Sequence, residues 1–123
     1  MATDTGWAIS NHARSALERC DLFQDLVTEQ LMEIAALVEE HLLEPDELLL
    51  REGETARYLF VVVEGRALAQ LEMYRGWLSL GLVGPSETAG WSSLIGGQVY
   101  PASVKALTPM RVARINSKRA CRP

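Results

Sequence analysis

The side chains best equipped for chemistry in this 123-residue sequence fall in one stretch. Glu87, Gly90, Trp91, Ser92 and Ser93 are followed by Tyr100, Pro101, Ala102 and Ser103. Two aromatic rings and several hydroxyls among small residues are the general make-up of a small-molecule site. Catalysis needs more than that. A serine nucleophile needs a base within reach, and Ser92 and Ser93 have no histidine partner in sequence and no G-x-S-x-G turn. The glycines match neither a phosphate-binding P-loop nor a dinucleotide fingerprint. Cys20 and Cys121 stand near opposite ends, match no metal-ligand spacing and are too few for a disulfide scaffold. The expectation is a non-enzymatic protein with no metal and no cofactor.

These residues need a scaffold, and the pattern of the chain describes one. Ser10 or Asn11 can cap a helix running to Cys20, its side-chain oxygen taking a free backbone N–H. Leu22 and Phe23 lead into a short turn or helix ending near Leu26. Thr28 is a second cap. Behind it Leu31, Ile34, Ala35 and Val38 form one apolar stripe, predicting a helix over 29–40. His12 and His41 then belong to the two helices, as surface residues. After Pro45 the pattern changes to Leu48, Leu49 and Leu50, then Gly53. Strands are predicted over 58–63, 67–73, 77–83, 102–107 and 111–115, separated by turn residues such as Tyr74, Arg75 and Gly76. The acidic residues Glu39, Glu40, Glu44, Asp46 and Glu47 read as a solvated face around a turn.

The fold class is therefore α+β: N-terminal helices followed by an antiparallel β-roll of the double-stranded, jelly-roll-like kind. One domain is expected over 1–123, with a helical part at 1–45, the roll at 46–116 and a tail at 117–123. The loop 84–101 is long and rich in glycine and proline, as functional loops are. It holds most of the candidate residues named above.

Composition narrows the function classes. Apolar residues make up 48% of the chain, enough to bury a core. The net charge of -4 argues against a surface built to grip nucleic acid. No apolar run approaches the ~20 residues that span a bilayer. The start of the chain is polar and acidic, unlike a secretory signal. A cytoplasmic protein that binds neither DNA nor membrane is expected.

Three features in fixed order resemble the cyclic-nucleotide-binding domain family, which includes cyclic-AMP receptor proteins, Fnr-type sensors and the regulatory domains of kinases and channels. The first is Leu22-Phe23 with Leu26, ahead of an amphipathic helix. The second is Gly53-Glu54, then Leu59-Phe60-Val61-Val62, then Gly65. The third is Glu87, Gly90 and Leu94, then Ala102-Ser103-Val104-Lys105-Ala106. The resemblance implies a β-roll whose loop 90–102 carries a short helix and takes the cyclic phosphate. It also implies a glutamate after the glycine to hold the ribose, and an arginine near the loop's end to pair with the phosphate.

This sequence departs at both positions. Trp91 follows Gly90, and counting back from Ala106 places Tyr100 at the arginine's position. An indole offers one donor and no carboxylate, and a phenol brings no positive charge. Losing a charge-assisted pair in a partly buried pocket costs about 2–5 kcal/mol of affinity. The expectation is a sensor or regulatory module that binds cyclic AMP and cyclic GMP weakly. Alternatives are a sensor of a different small ligand in the same pocket, and a structural or oligomerisation module. A metal-dependent cupin, which shares the roll, would need histidines on its strands. A protein partner or a homodimer through the N-terminal helices or the sheet faces fits the same reading.

Overall fold

A computed structural model describes residues 9–95 and 98–117. Helix α1 (Asn11–Arg19) begins where the sequence places it. Ser10 Oγ accepts from the Ala13 N–H at 3.1 Å and donates to Glu40 Oε1 at 2.9 Å. A 3-10 turn covers Asp21–Phe23, and α2 covers Thr28–Ala35. Thr28 does not cap α2. It is already helical, and the Gln30 carboxamide reaches back to the Val27 N–H at 3.1 Å instead.

The helix expected over 29–40 stops at Ala35, and Val38–Leu43 is strand β1. The reason is tertiary. The ladder from Val38 opposite Ile115 to Leu43 opposite Met110 pairs it with a strand some 70 residues further on. An apolar stripe at helical spacing cannot register that partner. The helical part thus gives way to strand at Val38 rather than after residue 45, and His41 lies in β1, not on a helix. The acidic residues form a solvated face as expected, with all but Glu40 exposed, and three of them also make surface ion pairs. Glu39 pairs with Arg114, Glu40 with Arg111, and Asp46 with Lys105.

The remaining strands are β2 (Leu48–Leu50), β3 (Tyr58–Glu64), β4 (Ala67–Met73), β5 (Gly76–Val83), β6 (Thr88–Ala89), β7 (Ser103–Ala106) and β8 (Met110–Asn116). They form two antiparallel four-stranded sheets in the orders β1-β8-β3-β6 and β2-β7-β4-β5. This is a β-roll preceded by helices, as the sequence pattern predicts.

β3 reads as an unbroken apolar run because both of its faces are buried. Leu59, Val61 and Val63 pack with Ala13, Leu17, Cys20, Leu31 and Ile115 beneath the helices. Phe60 and Val62 turn the other way, to Leu50, Tyr100, Val104 and Val112 inside the roll. Gly65, after β3, has φ +94°, and a Cβ there would sit 2.4 Å from the Pro109 carbonyl. Only glycine fits that turn.

Candidate functional site

Gly90 is the pivot of the candidate loop. Its φ of +92° is left-handed, and a Cβ would lie 2.5 Å from the Tyr58 carbonyl. The chain passes over β3 here with room for nothing larger than hydrogen. It then forms a four-residue 3-10 turn, Trp91–Leu94, closed by bonds from Ser93 N–H to Gly90 O and from Ile95 N–H to Ser92 O. The short helix implied by the resemblance is this single turn.

The nine candidate residues do not converge on one cavity. Trp91 is 52% exposed and lines an open cavity of about 610 Å³. Leu22, Leu82, Val83 and Ser86 share it, and so does Glu87. The Glu87 carboxylate also has a local task, accepting from the Gly84 N–H at 2.6 Å to close the turn after β5. Ser92 is half-buried beside the cavity-lining Trp91. Ser93 is buried, and its Oγ finds no partner among the described residues.

Tyr100 belongs to a different cavity of about 590 Å³, with Leu49, Thr55, Arg57, Tyr58, Phe60 and Arg114. Its ring is buried, and its hydroxyl donates to the Tyr58 carbonyl at 2.9 Å and accepts from the Tyr58 N–H at 3.0 Å. Its own backbone is clamped too. Its N–H bonds to Glu54 O, and its carbonyl accepts from Gly53 N–H. Beyond it Pro101 is exposed, Ala102 is half-buried, and buried Ser103 takes the Glu52 N–H on its Oγ at 2.9 Å.

The cations nearest in sequence are spoken for. Lys105 lies 3.8 Å from Asp46, and Arg111 lies 3.6 Å from Glu40 and 3.9 Å from Glu64. Arg114 hydrogen-bonds Glu39 and stacks 4.1 Å over the Tyr58 ring. The Glu39 carboxyl is held below its ordinary range, chiefly by the Arg114 hydrogen bond and charge and to a smaller degree by His41 at 3.7 Å. The Glu39–Arg114–Tyr58 group is not legible in the sequence, because it depends on the β1–β8 register that sets Glu39 opposite Arg114. Among the described residues no three of His, Cys, Asp and Glu cluster as metal ligands would. None of the described helices is long and apolar enough to cross a membrane. The tail expected at 117–123 lies, past Ser117, outside the described residues.

Residues 40–120 match the family model described as the cyclic nucleotide-binding domain. The chain belongs to this family. No curated protein matches it. Among solved structures, the N-terminal domain of a transcriptional regulator from Streptomyces coelicolor is 32% identical at TM-score 0.76, covering 82% of this chain and 73% of that one. The regulatory domain of Toxoplasma gondii PKA, crystallised with cAMP, is 20% identical at TM-score 0.81. A third is the regulatory subunit of a cAMP-independent protein kinase A from Trypanosoma brucei, as a triple mutant with cAMP in its A site. It is 19% identical at TM-score 0.78. The two kinase structures share the cyclic nucleotide-binding fold over 89% and 87% of this chain, which spans only 42% and 40% of theirs. The chain thus has the fold of a cyclic nucleotide-binding regulatory or sensor domain.

Proposed function

We propose that this cyclic nucleotide-binding domain is a non-enzymatic sensor or regulatory module that does not hold cyclic AMP or cyclic GMP tightly. The reading rests on Tyr100. It stands where the resemblance implies a phosphate-binding arginine, it carries no charge, and its hydroxyl is committed to the Tyr58 backbone. The cations that follow it in sequence, Lys105, Arg111 and Arg114, each face a carboxylate, which leaves Arg57 as the one cation lining the Tyr100 cavity without an ion pair among the described residues. Trp91 follows Gly90 where a ribose-binding glutamate is implied, and half of it faces solvent. The Trypanosoma subunit lends support. It has the same fold and is itself described as cAMP-independent.

A second reading is favoured by one observation. The cavity beside Trp91 is open and about 610 Å³ in size, large enough for a small molecule other than a cyclic nucleotide.

Titration with cyclic AMP to millimolar levels tests the main reading. Melting temperature and tryptophan emission, of which Trp91 is one of three sources, should stay nearly unchanged. Micromolar affinity would add about 4 kcal/mol of stability at that dose, and a shift of that size overturns the reading. The double change Trp91→Glu with Tyr100→Arg is the converse test and should restore measurable binding if the lost side chains are the whole cause. Emission that responds to other metabolites, with Trp91→Phe as control, would establish the second reading.

A further inference from the structure

The outer edge of β5 is unlike any other edge of the molecule. Four strands lie outermost in the two sheets: β1, β6, β2 and β5. β6 has two residues and β2 has three. β1 carries Glu39, Glu40 and His41. Short length, charge and β-bulges are among the ways natural proteins keep sheet edges from pairing with other chains. β5 is neither short nor charged. Its eight residues, Gly-Trp-Leu-Ser-Leu-Gly-Leu-Val, include no charge and no proline, and all but the last are exposed. Trp77, Leu78, Leu80 and Leu82 are each about half exposed, and Met73 and Tyr74 continue the patch around the hairpin. One side of β5 pairs with β4, and among the described residues no strand pairs with the other. Its one irregularity is a register shift between Ala69 and Gln70 that leaves Leu80 opposite no residue of β4.

We propose that the protein forms a two-fold dimer by antiparallel pairing of β5 with β5 of a second copy. Such an interface is isologous and closes on itself, so the two four-stranded sheets join into one of eight strands. A register centred on Leu80 sets Leu80 opposite its own copy, Leu78 opposite Leu82 and Trp77 opposite Val83. Apolar residues thus meet apolar residues along the strand, and no like charges are opposed. The same register sets Arg75 opposite Pro85, where it meets no like charge directly across the pair. Arg75 otherwise touches only the ring of Tyr74, 5.9 Å away, among the described residues. The area suffices. Trp77 and Tyr74 together offer about 300 Å² per copy, given about 150–250 Å² for a buried aromatic ring. With Met73 and three leucines beside them, two copies bury about 1,000 Å², the lower bound of a specific interface.

Sedimentation from about 1 to about 100 µM reads the outcome, with the 13.6 kDa chain expected to approach twice its mass at the upper end. Leu80→Lys places two ammonium groups across the two-fold axis and should return the protein to monomer. Because Leu80 is half exposed, circular dichroism should not change, and at about 1 µM, where both proteins are monomeric, neither should the melting temperature; Leu82→Lys is the second variant. Leu80→Cys in a Cys121→Ser background should form an intermolecular disulfide on oxidation, since directly opposed Cβ atoms lie about 4.5–5.5 Å apart. Val27→Cys, exposed near the start of α2, should not. A wild-type monomer at 100 µM overturns the proposal. So does a dimer that persists in both folded lysine variants, or association that runs past two copies.

Discussion

The Tyr100 hydroxyl satisfies both backbone groups of Tyr58, donating to its carbonyl and accepting from its N–H. This side chain, 42 residues away in sequence, ties the candidate loop to the first residue of β3. Tyr100→Phe keeps the ring and removes both bonds, leaving two partly buried backbone groups without partners. The expected cost is about 1–3 kcal/mol in denaturant melts. Cyclic nucleotide affinity should not improve, because the change adds no charge. A variant as stable as wild type would mean that water replaces the hydroxyl.

Gly90 is the other fixed point of that loop. A methyl group there meets the Tyr58 carbonyl at 2.5 Å and is held at a φ that L-residues avoid. Left-handed strain and overpacking add, so Gly90→Ala should destabilise by about 2–4 kcal/mol. Gly53 is the control. Its φ is +88°, but nothing lies within 4 Å of its added Cβ, so Gly53→Ala should cost only the strain, about 1–2 kcal/mol. Equal losses at the two positions would contradict the close passage over Tyr58.

The sequence was informative where the cause of structure is local. Ser10 caps α1 as its side chain dictates, and the Tyr74-Arg75 turn between β4 and β5 falls between two strand-like runs. It was misleading at Val38–Leu43, where Val38 extends the apolar stripe of Leu31, Ile34 and Ala35. Only pairing with β8 makes that segment a strand, and a ladder 67–77 residues away leaves no mark on local periodicity. The candidate site divides in the same way. Trp91 and Tyr100 stand out by position and type, but their directions do not. Trp91 sends its ring to the open cavity beside β5, and Tyr100 sends its ring under Gly90. Glu39 and Arg114 could be paired only after β1 was known to be a strand.

That pair gives the protein an acid-sensitive contact. The Glu39 carboxyl titrates below its ordinary 4.5 when folded, because Arg114 hydrogen-bonds it and attracts its charge. A carboxyl depressed by folding stabilises the native state above its unfolded value, and loses that contribution as pH falls through its folded value. Denaturation midpoints should therefore hold above about pH 4.5 and decline below it. Glu39→Gln should reduce the slope of that decline. Raising the salt concentration should narrow the difference between the two proteins, since the carboxylate is exposed and screened. Identical acid limbs for wild type and variant would show that other carboxylates carry the effect.

The last prediction concerns how the helices are held to the roll. Glu40, on β1, accepts from both the Ser10 N–H at 3.0 Å and the Ser10 hydroxyl at 2.9 Å, while Arg111 stands 3.6 Å from the same carboxylate. The Ser10 oxygen also takes the Ala13 N–H, so one side chain both caps α1 and fastens it to the sheet. Behind that cap, Ala13 and Leu17 are fully buried against β3. Ser10→Ala loses an N-cap, about 0.5–2 kcal/mol. It also loses a hydrogen bond to a charged group, nominally about 1.5–3 kcal/mol and less here because the site is only partly buried. A total of about 2–3 kcal/mol is expected. Glu40→Gln keeps the shape and weakens the bonds to Ser10 and Arg111 together. If the contact holds, the double variant should lose less than the two single losses combined, with a coupling of about 0.5–1.5 kcal/mol. Losses that add within about 0.3 kcal/mol would mean that Ser10 serves only its own helix, and that α1 rests on the roll by apolar packing alone.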